Sequence, residues 1–356
     1  MGTPGVEPSR PPRALAATAV ERLWRGEAGR AGVLLDVALV PLELAYRAAA
    51  GIFHAAYEVG LKRAVRLPVP VASVGNVAVG GAGKTPVTRW VVDELRRRGA
   101  RPAVLHGGYA PDEPALHRSW YPGVPVIEGR DRVAGGARAV DAGADVVVLD
   151  DGFQHRRLAR NLDLVLVAAE DWTPQPRLLP RGPWREPPRA LARADVVAVT
   201  RRTATAEAAE EVAAALRRFA PKADAVRFHL RAIGWRAAAG GAAGPGPRGE
   251  VVAVAGIARP RDFVANAEAA GVEVGEALVF RDHHAYTDED ARRIRAAARG
   301  RPVVTTAKDA VKLAPLAPEL DLWILEQRAI VEAGADALAR RLDALVAWSR
   351  STTTSA

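Results

Sequence analysis

The chain has 356 residues, 49% of them hydrophobic and 26% charged, which suits two ordinary α/β domains and excludes a mainly disordered chain or a polytopic membrane protein. It contains no cysteine, so disulfide scaffolds, thiolate-bound zinc and thiol nucleophiles are excluded. The net charge of +9 comes from arginine, with only five lysines, at 62, 84, 222, 308 and 312; it points only weakly to anionic partners, and no nucleic-acid partner is expected.

Residues 1–12 read as a loose terminus, without the apolar run of a signal peptide. From Val33 to Arg63 the chain is rich in Leu, Ala and Val, yet Asp36, Pro41, Glu43 and Arg47 rule out a spanning helix. Leu35, Leu39, Leu42, Tyr46 and Ala49 fall on one face of a helix. The pattern by itself favours a helix packed on a core; the other reading is a helix lying on a membrane surface, closed by Lys62, Arg63 and Arg66.

Short β-rich runs then alternate with helical stretches. Strands are expected at 69–74, 102–105, 145–149, 162–167, 195–199 and 226–230. After the Gly/Pro/Ala stretch 237–249, further strands are expected at 251–255, 275–280, 302–306 and 320–325. Continuous apolar runs such as ADVVVLDD indicate strands buried on both faces of a parallel sheet. The expected architecture is two α/β sandwich domains in series. Boundaries are expected at 1–65 for the N-terminal segment, 66–236 and 237–349 for the two domains, and 350–356 for a polar tail.

The strongest local signal is VASVGNVAVGGAGKTP, beginning at Val71. An apolar strand runs into Gly80, Gly81, Ala82 and Gly83, then Lys84 and Thr85, then a helical segment. Glycines let backbone N–H groups turn around phosphate oxygens. The lysine would reach the β- and γ-phosphates, the threonine hydroxyl would ligate Mg²⁺, and the helix dipole would favour the same charge. The strict G-x-x-x-x-G-K-[ST] pattern is not met, because its first position is Ala78. The second signal is the strand ending in Asp150 and Asp151. Paired carboxylates at the C-terminal edge of a parallel sheet beside a phosphate loop point to Mg²⁺ binding.

VGNVAVGGAGKTP, VIEGRDRV, VVVLDDGFQHRRLARNLD, RLLPRGPWREP, VAVAGIARPRDF, FRDHHAYTDED and VVTTAKDAVKL occur in that order. Together they resemble the tetraacyldisaccharide 4′-kinase family over residues 30 to 330. The resemblance implies a P-loop kinase domain and a smaller α/β domain joined by a short β linker. It implies transfer of the γ-phosphate of ATP to the 4′-hydroxyl of an acylated glucosamine disaccharide 1-phosphate, at the cytoplasmic face of the inner membrane. By position it assigns Asp112 and His283 to a catalytic base dyad and places Glu113 near the metal. The family's usual Ser-Arg-Gly-Tyr-Gly is His106-Gly-Gly-Tyr-Ala110 here, without the arginine, and the loop before Asp112 is shorter. If that charge is needed, Arg118 or Arg130 is expected to replace it. The family's Thr-Glu-Lys-Asp becomes Thr306-Ala-Lys-Asp309. The alternatives are a nucleotide-binding, membrane-associated homologue with weakened turnover and a GTP-hydrolysing P-loop switch or metallochaperone. The latter would read guanine through Asn/Thr-Lys-x-Asp, and the nearest string, Pro221-Lys-Ala-Asp224, has the wrong first residue.

Overall fold

The computed structural model describes residues 19–24, 27–108 and 112–353. The terminus at 1–12, residues 109–111 of the shortened loop and the last three residues lie outside the described residues. In chain order the elements are α1 (Ala19–Trp24), α2 (Gly29–Ala38), α3 (Val40–Glu58), β1 (Val71–Asn76), α4 (Lys84–Arg97), β2 (Pro102–His106), α5 (Asp112–Trp120), β3 (Val126–Glu128), α6 (Arg132–Asp141), β4 (Val146–Asp150), β5 (Leu162–Ala168), β6 (Val196–Arg201), α7 (Ala206–Arg217), β7 (Asp224–Ala237), β8 (Glu250–Ala255), α8 (Pro260–Ala269), β9 (Glu273–Val279), α9 (Asp288–Ala298), β10 (Val303–Thr305), α10 (Ala307–Leu313), β11 (Leu322–Ala333) and α11 (Ala335–Thr353). All ten strands expected from the apolar runs are present. The expectation missed β3, whose three half-buried residues make no apolar run.

Two compact units are formed, one by Ala19–Ala232 with the chain from Gln327 onward, the other by Ile233–Glu326. In the first, the strands lie in the order β3-β2-β4-β1-β5-β6-β7, and the pairs along it are parallel. The strand period of two sends alternate residues to opposite faces. Ala72, Val74, Val146, Val148, Leu164 and Leu166 meet α4 and α11 on one side. Val71, Val147 and Leu149 meet Ala139 of α6 on the other, and Val165 and Val197 meet Val212 and Leu216 of α7. Both faces are therefore dry, which explains why these strands read as continuous apolar runs. The fold is the expected α/β class with a parallel sheet.

The second unit carries β11-β10-β8-β9, parallel throughout, with Val252, Val254, Ile294, Val303 and Leu313 in its core. It ends at Glu326, whereas the sequence expectation ran the second domain to 349. The reason is packing: Leu338, Leu342, Leu345 and Val346 of α11 close over Val91, Val92 and Leu95 of α4 in the first unit. The chain passes between units within β7 and within β11. The tail expected from 350 is helical as far as Thr353.

The N-terminal segment departs from both the stripe and the core helix. Leu39 sits in the turn between α2 and α3, with Pro41 starting the second helix, so the stripe is not one continuous face. The side that packs on the unit is polar. Asp36 pairs with Arg177 at 2.6 Å and Arg181 at 3.0 Å. Glu43, buried, accepts from the Leu178 N–H at 2.9 Å and pairs with Arg181 at 3.3 Å. Tyr46 donates to the Arg185 carbonyl at 2.9 Å, and His54 meets Glu186 at 2.9 Å. The apolar side faces outward: Leu34 is 74% exposed, Ile52 72% and Leu61 82%, with Val33, Val37, Leu42, Leu44 and Val59 also exposed.

Candidate functional site

Strand β1 ends at Asn76, and the loop to α4 is held by the segment 183–185. The Val79 N–H donates to the Pro183 carbonyl at 2.7 Å, and the Arg185 N–H donates to Val77 at 2.7 Å. The Thr200 hydroxyl donates to the Ala82 carbonyl at 2.9 Å. Gly83 caps α4 at φ +83°, and a Cβ there would lie 2.3 Å from Leu230 Cδ1. Only glycine satisfies both the left-handed backbone and this close approach. Gly83→Ala should therefore cost roughly 2–4 kcal/mol of stability from backbone strain and overpacking, read as a lower denaturation midpoint with an unchanged slope.

Lys84 and Thr85 open the helix. Lys84 Nζ lies 3.4 Å from Asn76 Oδ1 and 3.7 Å from Asp151 Oδ1. The Thr85 hydroxyl, buried, donates to Glu113 Oε1 at 3.3 Å. Gly80, Gly81 and Ala82 form the loop, with Gly80 at φ +114°. The phosphate-loop residues are thus gathered at one helix N-terminus, where backbone donors and the helix dipole favour an anion.

The paired aspartates part company. Asp150 ends β4 fully buried, and His117 Nε2 donates to its Oδ2 at 3.0 Å while Oδ1 has no hydrogen-bond partner. Asp151 turns away in the left-handed region at φ +61°. Arg185 donates to both its oxygens at 3.1 Å. Burial would raise the Asp151 carboxyl, but Lys84 and Arg185 outweigh it and hold the group below the usual carboxylate range. Asp151 is therefore the partner of two cations, and its carboxylate lies apart from the group that Asp150 joins.

Among the described residues, the group whose geometry could hold a divalent cation is His106, Glu113 and Asp150, all buried, with their ligand atoms within 4.8 Å of one another. Glu113 Oε2 also meets His106 Nε2 at 2.5 Å. Burial disfavours a charged imidazole at 106, yet Glu113 and Asp150 together raise its pKa above the ordinary histidine value. Sequence reasoning gave His106 and His117 no role. Their only signal was position, at the end of β2 and one turn beyond Glu113.

Other motif residues acquire contacts. Gln154 donates to the Asn76 carbonyl at 2.9 Å and to Glu186 Oε1 at 3.0 Å, while its Oε1 accepts from Arg185 at 3.2 Å. DDGFQH and RGPWREP thus interlock behind the phosphate loop. The guanidinium beside Lys84 belongs to Arg185. Arg118, expected as a replacement for the missing arginine, is half-exposed and bonded to Glu128 at 2.6 Å.

Asp112 is buried in the first turn of α5, and its Oδ1 accepts the Glu113 N–H at 3.1 Å. His283 belongs to the other unit, after β9, with φ +55° and its N–H donating to Gly256 at 3.1 Å. Asp309 of the TAKD string is fully buried and accepts the Gly256 N–H at 3.0 Å and the Thr306 hydroxyl at 2.8 Å. It therefore secures the loop on which His283 rests.

The family model described as tetraacyldisaccharide-1-P 4′-kinase matches residues 35–111 and 109–347. A tetraacyldisaccharide 4′-kinase of Anaeromyxobacter sp. (strain Fw109-5) is 42% identical, over 92% of this chain and 96% of the relative. That of Halorhodospira halophila is 39% identical, over 81% and 87%. The solved LpxK of Aquifex aeolicus, described as in complex with ATP, superposes with a TM-score of 0.69 at 26% identity, covering 87% of this chain and 99% of that one.

Proposed function

Since the chain belongs to the tetraacyldisaccharide 4′-kinase family and is an ATP-dependent kinase of lipid A synthesis, we propose which of its residues carry out phosphate transfer and where it works. The observation that carries the reading is the gathering of Lys84, Thr85, Glu113 and Asp150 at the N-terminus of α4. Lys84 supplies fixed positive charge to the phosphates. Asp151, itself paired with Arg185, holds Lys84 on one side, and Asn76 holds it on the other.

Thr85, Glu113 and Asp150 suit Mg²⁺, because they offer oxygens and because Asp150 Oδ1 is buried without a hydrogen-bond partner. A bound Mg²⁺ would offset charge on the phosphates. By the family resemblance, Asp112 of the first unit and His283 of the second are each assigned to the base for the acceptor. The 4′-oxygen bonds to the γ-phosphorus, the bond to the β-phosphate oxygen breaks, ADP leaves, and the hydroxyl proton passes to the dyad. Phosphate transfer from γ-labelled ATP to tetraacyldisaccharide 1-phosphate in detergent micelles tests this. Labelled lipid is the expected product; ATP hydrolysis without lipid labelling would make the chain a weakened homologue.

The acceptor is acylated, and the outward apolar side of α2 and α3 suits the cytoplasmic face of the inner membrane. No helix among the described residues is long and apolar enough to cross a membrane. The exposed Leu, Ile and Val side chains gain by leaving water, and Lys62, Arg63 and Arg66, all exposed, face anionic headgroups. Replacing Leu34, Leu44 and Ile52 together by glutamate should weaken binding to vesicles containing anionic lipid by about tenfold or more. Unchanged sedimentation with vesicles would refute the membrane reading.

A further inference from the structure

Strands β2 and β4 are parallel neighbours with Leu105 paired to Leu149, so the next residues, His106 and Asp150, emerge side by side at the sheet edge. The first turn of α5 brings Glu113 to the same point, and the three ligand atoms lie within 4.8 Å of one another. All three residues are buried. One oxygen of Asp150 is committed to His117, and the other has no hydrogen-bond partner. His117 does for Asp150 what an outer-shell partner does for a metal ligand: it fixes the carboxylate's orientation.

We propose that His106 is a nitrogen ligand of the divalent cation at this site, so that first-row divalent cations, of which Mn²⁺ is the probe used below, gain on Mg²⁺ relative to a site of oxygens alone. Mg²⁺ favours oxygen ligands in strict octahedral geometry, whereas first-row divalent metals gain from imidazole nitrogen. Serine at 106 would offer only a hydroxyl. In the metal-free protein His106 Nε2 rests against Glu113 Oε2. The Gly108 N–H donates to Nδ1 at 3.3 Å. To hold a cation through Nε2 the ring would have to be neutral with its proton on Nδ1, and that backbone contact would have to give way.

The inference rests on the metal-assisted reading above, and its test does not use turnover. Mn²⁺ is titrated into the nucleotide-free full-length protein, and its electron spin echo is examined for modulation by a directly bound ¹⁴N. The wild type should show that modulation. His106→Ser and His106→Gln should abolish it, weaken Mn²⁺ by about tenfold or more and change Mg²⁺ affinity by less than about threefold. Glutamine keeps most of the buried volume, so it serves if serine lowers the melting temperature. Modulation that persists in both variants would assign the nitrogen to His117 and overturn the proposal. So would equal losses of Mn²⁺ and Mg²⁺ affinity, or an unmodulated echo from bound Mn²⁺ in the wild type. Bound Mn²⁺ without nitrogen coupling would overturn this inference alone. Absence of divalent binding both with and without ATP would overturn the metal-assisted reading as well.

Discussion

Lys84→Ala should lower turnover by about a hundred- to a thousandfold, the usual loss when one fixed charge-stabilising group is removed from a reacting centre, while leaving the fold intact. The fold survives because Asp151 stays paired. Arg185 donates to both carboxylate oxygens at 3.1 Å, whereas Lys84 lies 3.7 Å from one of them. Removing the lysine therefore strips charge from the phosphate side of the loop without orphaning a buried carboxylate, the situation that makes broken ion pairs costly. The helix N-terminus behind Gly83 persists, so nucleotide should still bind, more weakly. A thermal melt within a few degrees of wild type, measured beside the initial rate, checks both halves. More than half the activity remaining would remove Lys84 from the machinery.

The second large effect concerns the dyad. Asp112→Ala and His283→Ala should each reduce kcat by roughly a hundredfold or more, the range for a positioned general base, with little change in the KM for ATP. The double variant should be little worse than the more damaging single one, because two groups that handle one proton act as a unit. Effects that multiply would show independent contributions and defeat the dyad. Asp112 is buried on α5, one residue before Glu113. A loss confined to kcat with unchanged divalent-cation dependence separates its role from its neighbour's. Asp309→Ala supplies the control for the other unit. It frees the Gly256 N–H and the Thr306 hydroxyl, so its defect should appear in the melting curve as well as the rate, whereas that of His283→Ala should appear in the rate alone.

Much of this was legible in the sequence, because it rests on local physics. Continuous apolar runs mark strands wetted on neither face, and glycines followed by Lys84 and Thr85 mark a phosphate loop, since only that order turns backbone donors around an anion. The strand β3 was not legible, because three half-buried residues carry no period. The end of the second unit was not legible either. The apolar face of α11 is equally compatible with either unit, and its packing on α4 was settled by chain path. The N-terminal helices show the same limit. Their periodicity announces an apolar side but not which way it faces, and pairing of Asp36, Glu43 and His54 with residues 177–186 turns it outward. At the site, adjacent Asp150 and Asp151 read as one metal-binding pair. The left-handed backbone at Asp151 sends it to Lys84 and Arg185, while strand register sets Asp150 beside His106. Residue type and order were enough by themselves to propose phosphate binding at the end of β1. Which carboxylate converges with His106 and Glu113 and which meets Lys84 and Arg185 was decided by the tertiary structure, because partners as far apart as Lys84 and Asp151, 67 residues, converge only when the sheet forms.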